Sequence, residues 1–325
     1  MNWPAGARFG RAFWFWFTFD YTVPIHVARV AAMLCHKKLL NTGERRGSGQ
    51  CRTNTQFPKL LALASLIAFI ALLNGNSSAQ AAKLVPHTAQ YQLSLAQLKM
   101  PGEAAAAGGD LAIRIERTCN RWRIMSRFQF NIDFRDADRR MHLEVAQGSE
   151  EDLSGQTLFF ESHTTVNGES VLSLKGTAYL TAAGDNRAIL TKPERAVLTL
   201  PKETLLPIFA TRRTLDALER GVRFDSYLLF DGTNPIGPYR VSDVVGGKAL
   251  ALKRPPTGDA HLLNTPSWRV RSSFFEHQSV DAEPQSETVT QIHSNGIVSR
   301  VLLDIGFLVA DGELVEIKSL PTPSC

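Results

Sequence analysis

Residues 111–130 read LAIRIERTCNRWRIMSRFQF. Leu111, Ile113 and Ile115 alternate with Ala112, Arg114 and Glu116. After a short TCN break, Trp122, Ile124, Ser126, Phe128 and Phe130 define one face while Arg121, Arg123 and Arg127 point to the other. A period of two sends successive side chains to opposite sides of a strand, whereas a helix would return apolar residues every three or four positions. The stretch therefore predicts two antiparallel strands with one apolar and one wet face.

The same alternation recurs at 89–95, 156–165, 170–180, 196–200, 223–230, 239–245 and 248–253, and again at 268–275, 287–293, 298–305 and 314–320. Turn chemistry separates many of these runs: Asn167-Gly168, Asp231-Gly232, Asn295-Gly296 and Asp311-Gly312. Asn and Gly tolerate the positive φ of tight hairpin turns. The last two pairs flank 298–305 and predict a three-strand meander at the end of the chain. About a dozen strands exceed what a single flat sheet accommodates, so a curled sheet, barrel or spiral follows. Residues 103–109 (EAAAAGG) read as a loose connection or helical turn, and Glu150, Glu151 and Asp152 as part of a polar loop.

One helix stands out at 204–220, TLLPIFATRRTLDALER. Thr204 is placed to cap it, Pro207 suits its first turn and Gly221 follows as a stop. Leu206, Phe209, Ala210, Leu215, Ala217 and Leu218 share its apolar face. A lone amphipathic helix among strands is expected to buttress the open side of a curved sheet, through Leu206, Phe209, Leu215 and Leu218.

The compartment is read from residues 60–73, LLALASLIAFIALL, preceded by Arg52 and Lys59 and followed by Ala79-Gln80-Ala81. This is the order of a cleavable export signal, and the apolar run is shorter than the ~20 residues a spanning helix needs. The expected organisation is an upstream extension over 1–50 that is not native, a signal peptide over 51–81 cleaved after Ala81, and one periplasmic β domain over 82–325. Nine of the 36 Lys and Arg residues and two of the 31 acids fall before residue 82, leaving 27 basic and 29 acidic residues, a net charge of −2. The basic balance of the whole chain thus belongs to the part removed, and no basic patch suggests nucleic acid. Cys119 and Cys325 are the only cysteines left after cleavage. In an oxidising compartment such a pair suggests one disulfide; the alternative is two unrelated thiols.

Motifs for chemistry are missing. Gly246-Gly247-Lys248 is followed by Ala249 rather than Ser or Thr, and Ser242 stands where a phosphate loop needs glycine, so no nucleotide is expected. No G-x-S-x-G string occurs. His87, His142, His163, His261, His277 and His293 are scattered without ligand spacing, and Asp133, Asp136 and Asp138 lack the glycine of a calcium loop. No metal and no cofactor are expected. Trp122, Phe128, Phe130 and Trp268 read as core packing, or alternatively as the wall of an apolar groove.

Seven features follow one another in the chain: LVPHTAQYQLSL (84–95), Cys119 ahead of Trp122, the LP…LLP string over 200–207, LFDGT (229–233), Trp268, Asn295-Gly296 and the terminal LPTPSC (320–325). In that order they resemble the EipB-type periplasmic cell-envelope integrity family of alphaproteobacteria. The resemblance implies a single broken, spiral-like antiparallel barrel with a packed helix, a Cys119–Cys325 disulfide, no enzymatic activity and a role in keeping the envelope intact. The function expected is therefore non-catalytic support of the envelope by binding other envelope proteins. The alternative is a lipid or lipoprotein carrier, in which Trp122, Phe128, Phe130 and Trp268 would line an open concave face.

Overall fold

The computed structural model describes residues 84–325 apart from 101, 136–139 and 279–282. The expectations for 1–50, for the signal peptide over 51–81 with cleavage after Ala81, and for Asp136 and Asp138 lie outside the described residues.

Eight strands come first: β1 (His87–Leu98), β2 (Ala104–Arg117), β3 (Arg121–Phe134), β4 (Arg140–Asp152), β5 (Thr157–Val166), β6 (Glu169–Tyr179), β7 (Arg187–Lys192) and β8 (Ala196–Thr199). The short β9 (Thr204–Leu205) leads into the helix α1 (Pro207–Glu219). Then follow β10 (Phe224–Leu229), β11 (Tyr239–Val245), the two-residue β12 (Thr257–Gly258), β13 (Ser267–Glu276), β14 (Ser286–His293), β15 (Val298–Asp304) and β16 (Leu308–Ser319).

All belong to one 16-stranded sheet, ordered β8-β7-β6-β5-β4-β3-β2-β1-β16-β15-β14-β13-β11-β10-β9, with β12 alongside β16. Neighbours are antiparallel except β9 with β10 and β12 with β16. The first strand pairs with the last: Ala89 lies opposite Ile317, Tyr91 opposite Leu314 and Leu93 opposite Gly312. Pairing of β8 with β9 would complete a ring, and only residues 200–203 separate them in sequence, yet the two are not paired. The fold is a barrel broken at that one place. Buried Asn186 secures the broken end, accepting from the Thr181 amide (2.8 Å) and donating to the carbonyls of Pro201 (3.1 Å) and Lys202 (3.3 Å).

Three apolar clusters fill the concave side. One gathers β1, β3, β15 and β16 residues around Tyr91, Phe130 and Ile132. A second packs α1 through Ile208, Leu215 and Leu218 against Trp122, Val270 and Ile292. A third joins Leu158 and Phe160 of β5 to Leu200, Leu206 and Phe230 across the break. Polar residues at alternate positions face outward, which is why the period-two reading identifies most strands.

Five local expectations are corrected. Residues 104–109 open β2 instead of forming a turn, because β3 pairs with the stretch from Ala104 onward and β1 joins at Gly108 and Gly109. Glu150, Glu151 and Asp152 lie in β4, paired with β3 and β5, and are not a loop. Residues 248–253 form no strand; their amides and carbonyls are taken by side chains, as in Leu250 N–H to Gln291 Oε1 (2.9 Å) and Arg300 Nη1–H to Ala251 O (2.7 Å). Asp311-Gly312 sits inside β16, and the turn falls around Gly306. Gly312 is there for space: a Cβ would lie 2.9 Å from Leu93 Cδ2 and 3.0 Å from Val301 Cγ1. Finally, Thr204 belongs to β9 and does not cap α1, whose first turn begins after Leu206.

Two glycines on the strands that flank β3 give a matched test of this packing. At Gly109 in β2 an added Cβ would fall 1.9 Å from the Gln129 carbonyl oxygen, backbone that must move, whereas at Gly148 in β4 nothing lies within 4 Å. Gly109→Ala is expected to cost about 1–3 kcal/mol, and Gly148→Ala to stay within roughly 0.5 kcal/mol of the parent, both read from denaturant unfolding.

Candidate functional site

The lumen beside α1 is where the sequence departs most from a simple apolar core. Helix α1 opens with Pro207, and its N-cap residue Leu206 has no side chain able to accept a hydrogen bond. The first-turn amides need an acceptor all the same. Glu151 supplies it from β4: its carboxylate takes the amides of Ile208 (2.7 Å) and Phe209 (3.2 Å). The side chain is almost completely buried, at 1% exposure. Burial pushes its pKa up to about 7, while the two amides and Arg212 pull the other way.

Beside this cap, Trp122 is buried against α1, with the Arg117 and Arg212 guanidinium carbons 5.9 and 5.8 Å from its ring centre. Phe209 is only half-buried; it covers Gly155, where a Cβ would meet its ring at 2.4 Å. Leu206, Leu215 and Leu218 are buried as the amphipathic face requires, but Leu206 joins the cluster at the break and not the one under α1.

Above α1 lies a partly open cavity of about 360 Å3. Its walls come from β3, β4 and β5 on one side and from β10, β11, β13 and β14 on the other, with Pro207, Ala210, Thr211 and Thr214 as its base. The central polar group is Asp243, 2% exposed. It accepts hydrogen bonds from Ser272 Oγ (2.6 Å), Thr214 Oγ1 (3.0 Å) and Tyr227 OH (3.3 Å). Burial raises its pKa, and the three hydroxyl donors oppose that rise. Asp231 also lines the cavity and accepts from the Thr233 amide (2.9 Å) and hydroxyl (2.8 Å).

Trp122 and Phe130 are buried in packed clusters, and Phe128 and Trp268 are half-buried against the same clusters. None of the four lines the 360 Å3 cavity. His87 and His293 are core residues, bonded to the Val85 carbonyl (2.7 Å) and Ser299 Oγ (3.1 Å), and burial lowers both their pKa values. No group of three or more His, Cys, Asp or Glu side chains able to hold a metal occurs among the described residues. Glu151 is hidden in the sequence among its acidic neighbours Glu150 and Asp152, although 141–146 (MHLEVA) alternates plainly enough to announce β4. Asp243 had a signal too: it stands between Val241 and Val245, in phase with the inward face of its strand.

The chain end closes the domain. Cys119, in the turn between β2 and β3, is bonded to Cys325, with S–S 2.04 Å, Cα–Cα 5.7 Å and a sequence separation of 206. The arm reaching it leaves β16 after Ser319, whose amide and hydroxyl both donate to Asp259 (2.7 and 2.6 Å).

These features define a class: an open β-barrel plugged by its own helix and clasped at its C-terminus. The chain belongs to the EipB-like family, whose model matches residues 78–321. It is similar to the cell envelope integrity protein EipB of Brucella abortus (strain 2308), at 25% identity over 266 residues, covering 80% of this chain and 92% of that protein. Its fold resembles the crystal structure of a β-barrel-like protein of a domain of unknown function from Brucella abortus. That match has a TM-score of 0.66 at 23% identity and covers 74% of this chain and 100% of that one. The expectation of a mainly β broken barrel with one helix is met.

Two outcomes test this site. Glu151 holds its proton more tightly folded than unfolded, so its contribution to stability is complete below about pH 4.5 and is lost as pH rises through about 7. At roughly 1.4 kcal/mol per pKa unit the loss is about 3 kcal/mol. Glu151→Gln should flatten that part of the stability–pH curve measured by urea unfolding. Replacing Cys119 or Cys325 by Ser should lower the unfolding free energy by up to about 5 kcal/mol on the chain-entropy estimate. Reductant should lower the wild-type Tm similarly and leave the Ser variants unchanged.

Proposed function

We propose that this protein is a non-catalytic periplasmic domain that supports cell-envelope integrity by binding other envelope proteins. The observation that carries the reading is the family match over residues 78–321 together with the relative named as a cell envelope integrity protein. The Cys119–Cys325 clasp suits an oxidising, exported setting. Trp122 and Phe130 are packed into buried clusters and neither they nor Phe128 and Trp268 line the cavity beside α1, which favours protein binding over lipid carriage.

Deleting the gene in its own host should sensitise cells to detergent, and the wild-type copy should restore resistance. Photo-crosslinking in intact cells should then trap the domain with an envelope protein. Unchanged detergent resistance in the deletion strain would sink the integrity role; restored resistance without any crosslinked protein would sink the binding step.

A further inference from the structure

The lumen above α1 has lining chemistry that neither the packing of the barrel nor the clasp explains. Ser162, only 4% exposed, points its hydroxyl at the cavity and has no hydrogen-bond partner among the described residues. Ser149 and Thr290, on opposite walls, are likewise without side-chain partners there. Gln147 accepts from Ser126 Oγ (3.3 Å) through Oε1, leaving both protons of its amide nitrogen unused. Of the four only Ser162 is buried, and Ser149, Thr290 and Gln147 are half-buried at the open cavity wall; polar groups without a protein partner there are free to bond water or a polar ligand. Hydrocarbon against these four groups would leave every one of them unsatisfied.

Charge narrows the class. No Lys, Arg or His lines the cavity among the described residues, while Asp231 and Asp243 do. Glu161 lies at the same wall, but its carboxylate is paired with Lys175 Nζ (2.9 Å) on the exposed side of β5. An anionic group would therefore find carboxylates and no cation. A cation has little to gain either, because Asp243 already holds three hydroxyl donors and Asp231 two hydrogen bonds from Thr233. Between the polar groups, Ile124, Val270 and Phe274 provide apolar surface on which C–H faces can rest. The volume, about 360 Å3, falls within the range of small-molecule sites.

We propose that the lumen binds a small, uncharged, hydroxyl-rich molecule of sugar-like chemistry. Ser162, Thr290, Ser149 and Gln147 are its hydrogen-bonding contacts, and α1 forms the base of the site. This inference stands apart from the partner-binding reading: it concerns the inside of the barrel, and its test involves no second protein.

The test is isothermal titration calorimetry of the purified protein with three neutral disaccharides, N,N′-diacetylchitobiose, maltose and trehalose, beside glucose 6-phosphate and palmitate. At least one neutral disaccharide should bind saturably at one per chain. Ser162→Ala and Thr290→Val should each weaken that binding tenfold or more without lowering the Tm, since neither hydroxyl has a partner in the protein to lose. Three results would each overturn the proposal: no binding by any of the three disaccharides, tighter binding of glucose 6-phosphate or palmitate, or undiminished binding by both variants.

Discussion

The pairing of β1 with β16 is the constraint on which the rest of the structure depends. Every other antiparallel neighbour in the sheet is close in the chain, so each can form locally. Only this ladder joins residues more than two hundred positions apart, and without it the sheet would fall into two, β1–β8 and β9–β16, each with a long unpaired edge. The cost is the entropy of bringing distant segments together, which is met before the contacts that reward it. Several interactions converge on this seam. Tyr91 buries its ring there and donates its hydroxyl to the Val298 carbonyl at 2.7 Å, and Gly312 gives Leu93 and Val301 room to meet. Arg300 grips Asp311 through two parallel hydrogen bonds across β15 and β16. The disulfide then holds the end of β16 to the β2–β3 turn, so the clasp reinforces the seam that matters most.

The opposite side of the barrel is open. The strands run around to β8 and β9, where the connection of four residues is stitched by Asn186 and no ladder forms. Helix α1 starts at this gap and turns inward, placing Ile208, Leu215 and Leu218 against Trp122 and Val270. An inward helix buries its N-terminal amides, and Glu151 answers their need for an acceptor from the facing wall. The helix also divides the lumen: one part is filled with apolar side chains, the other is left as a cavity with hydroxyls and carboxylates. The plug and the polar chamber are consequences of the same break.

Much of the fold is legible in residues 84–325 taken alone. Alternation places β3, β5, β6, β11, β13, β14 and β15 because their outer faces are wet, and the helix shows its apolar face clearly. Legibility fails where the wet-face rule fails. The alanines and glycines that open β2 carry no hydrophobic signal, and Gly109 is small because the Gln129 carbonyl passes close by. Residues 248–253 alternate well but have no neighbouring strand to pair with, and side-chain amides and guanidinium groups satisfy their backbone instead.

What the sequence by itself determined is the local grammar: period-two strands, one amphipathic helix and, within residues 84–325, just two cysteines. Those depend on residue spacing and residue chemistry, which are present before anything folds. Tertiary structure alone decided that β1 meets β16, that the ring breaks between β8 and β9, that Glu151 caps a helix fifty-seven residues away, and that Asp243 gathers three hydroxyls around a chamber. Each of these is a contact between segments distant in sequence. Their identity follows from how strands curl and close around a common interior, which no local pattern encodes.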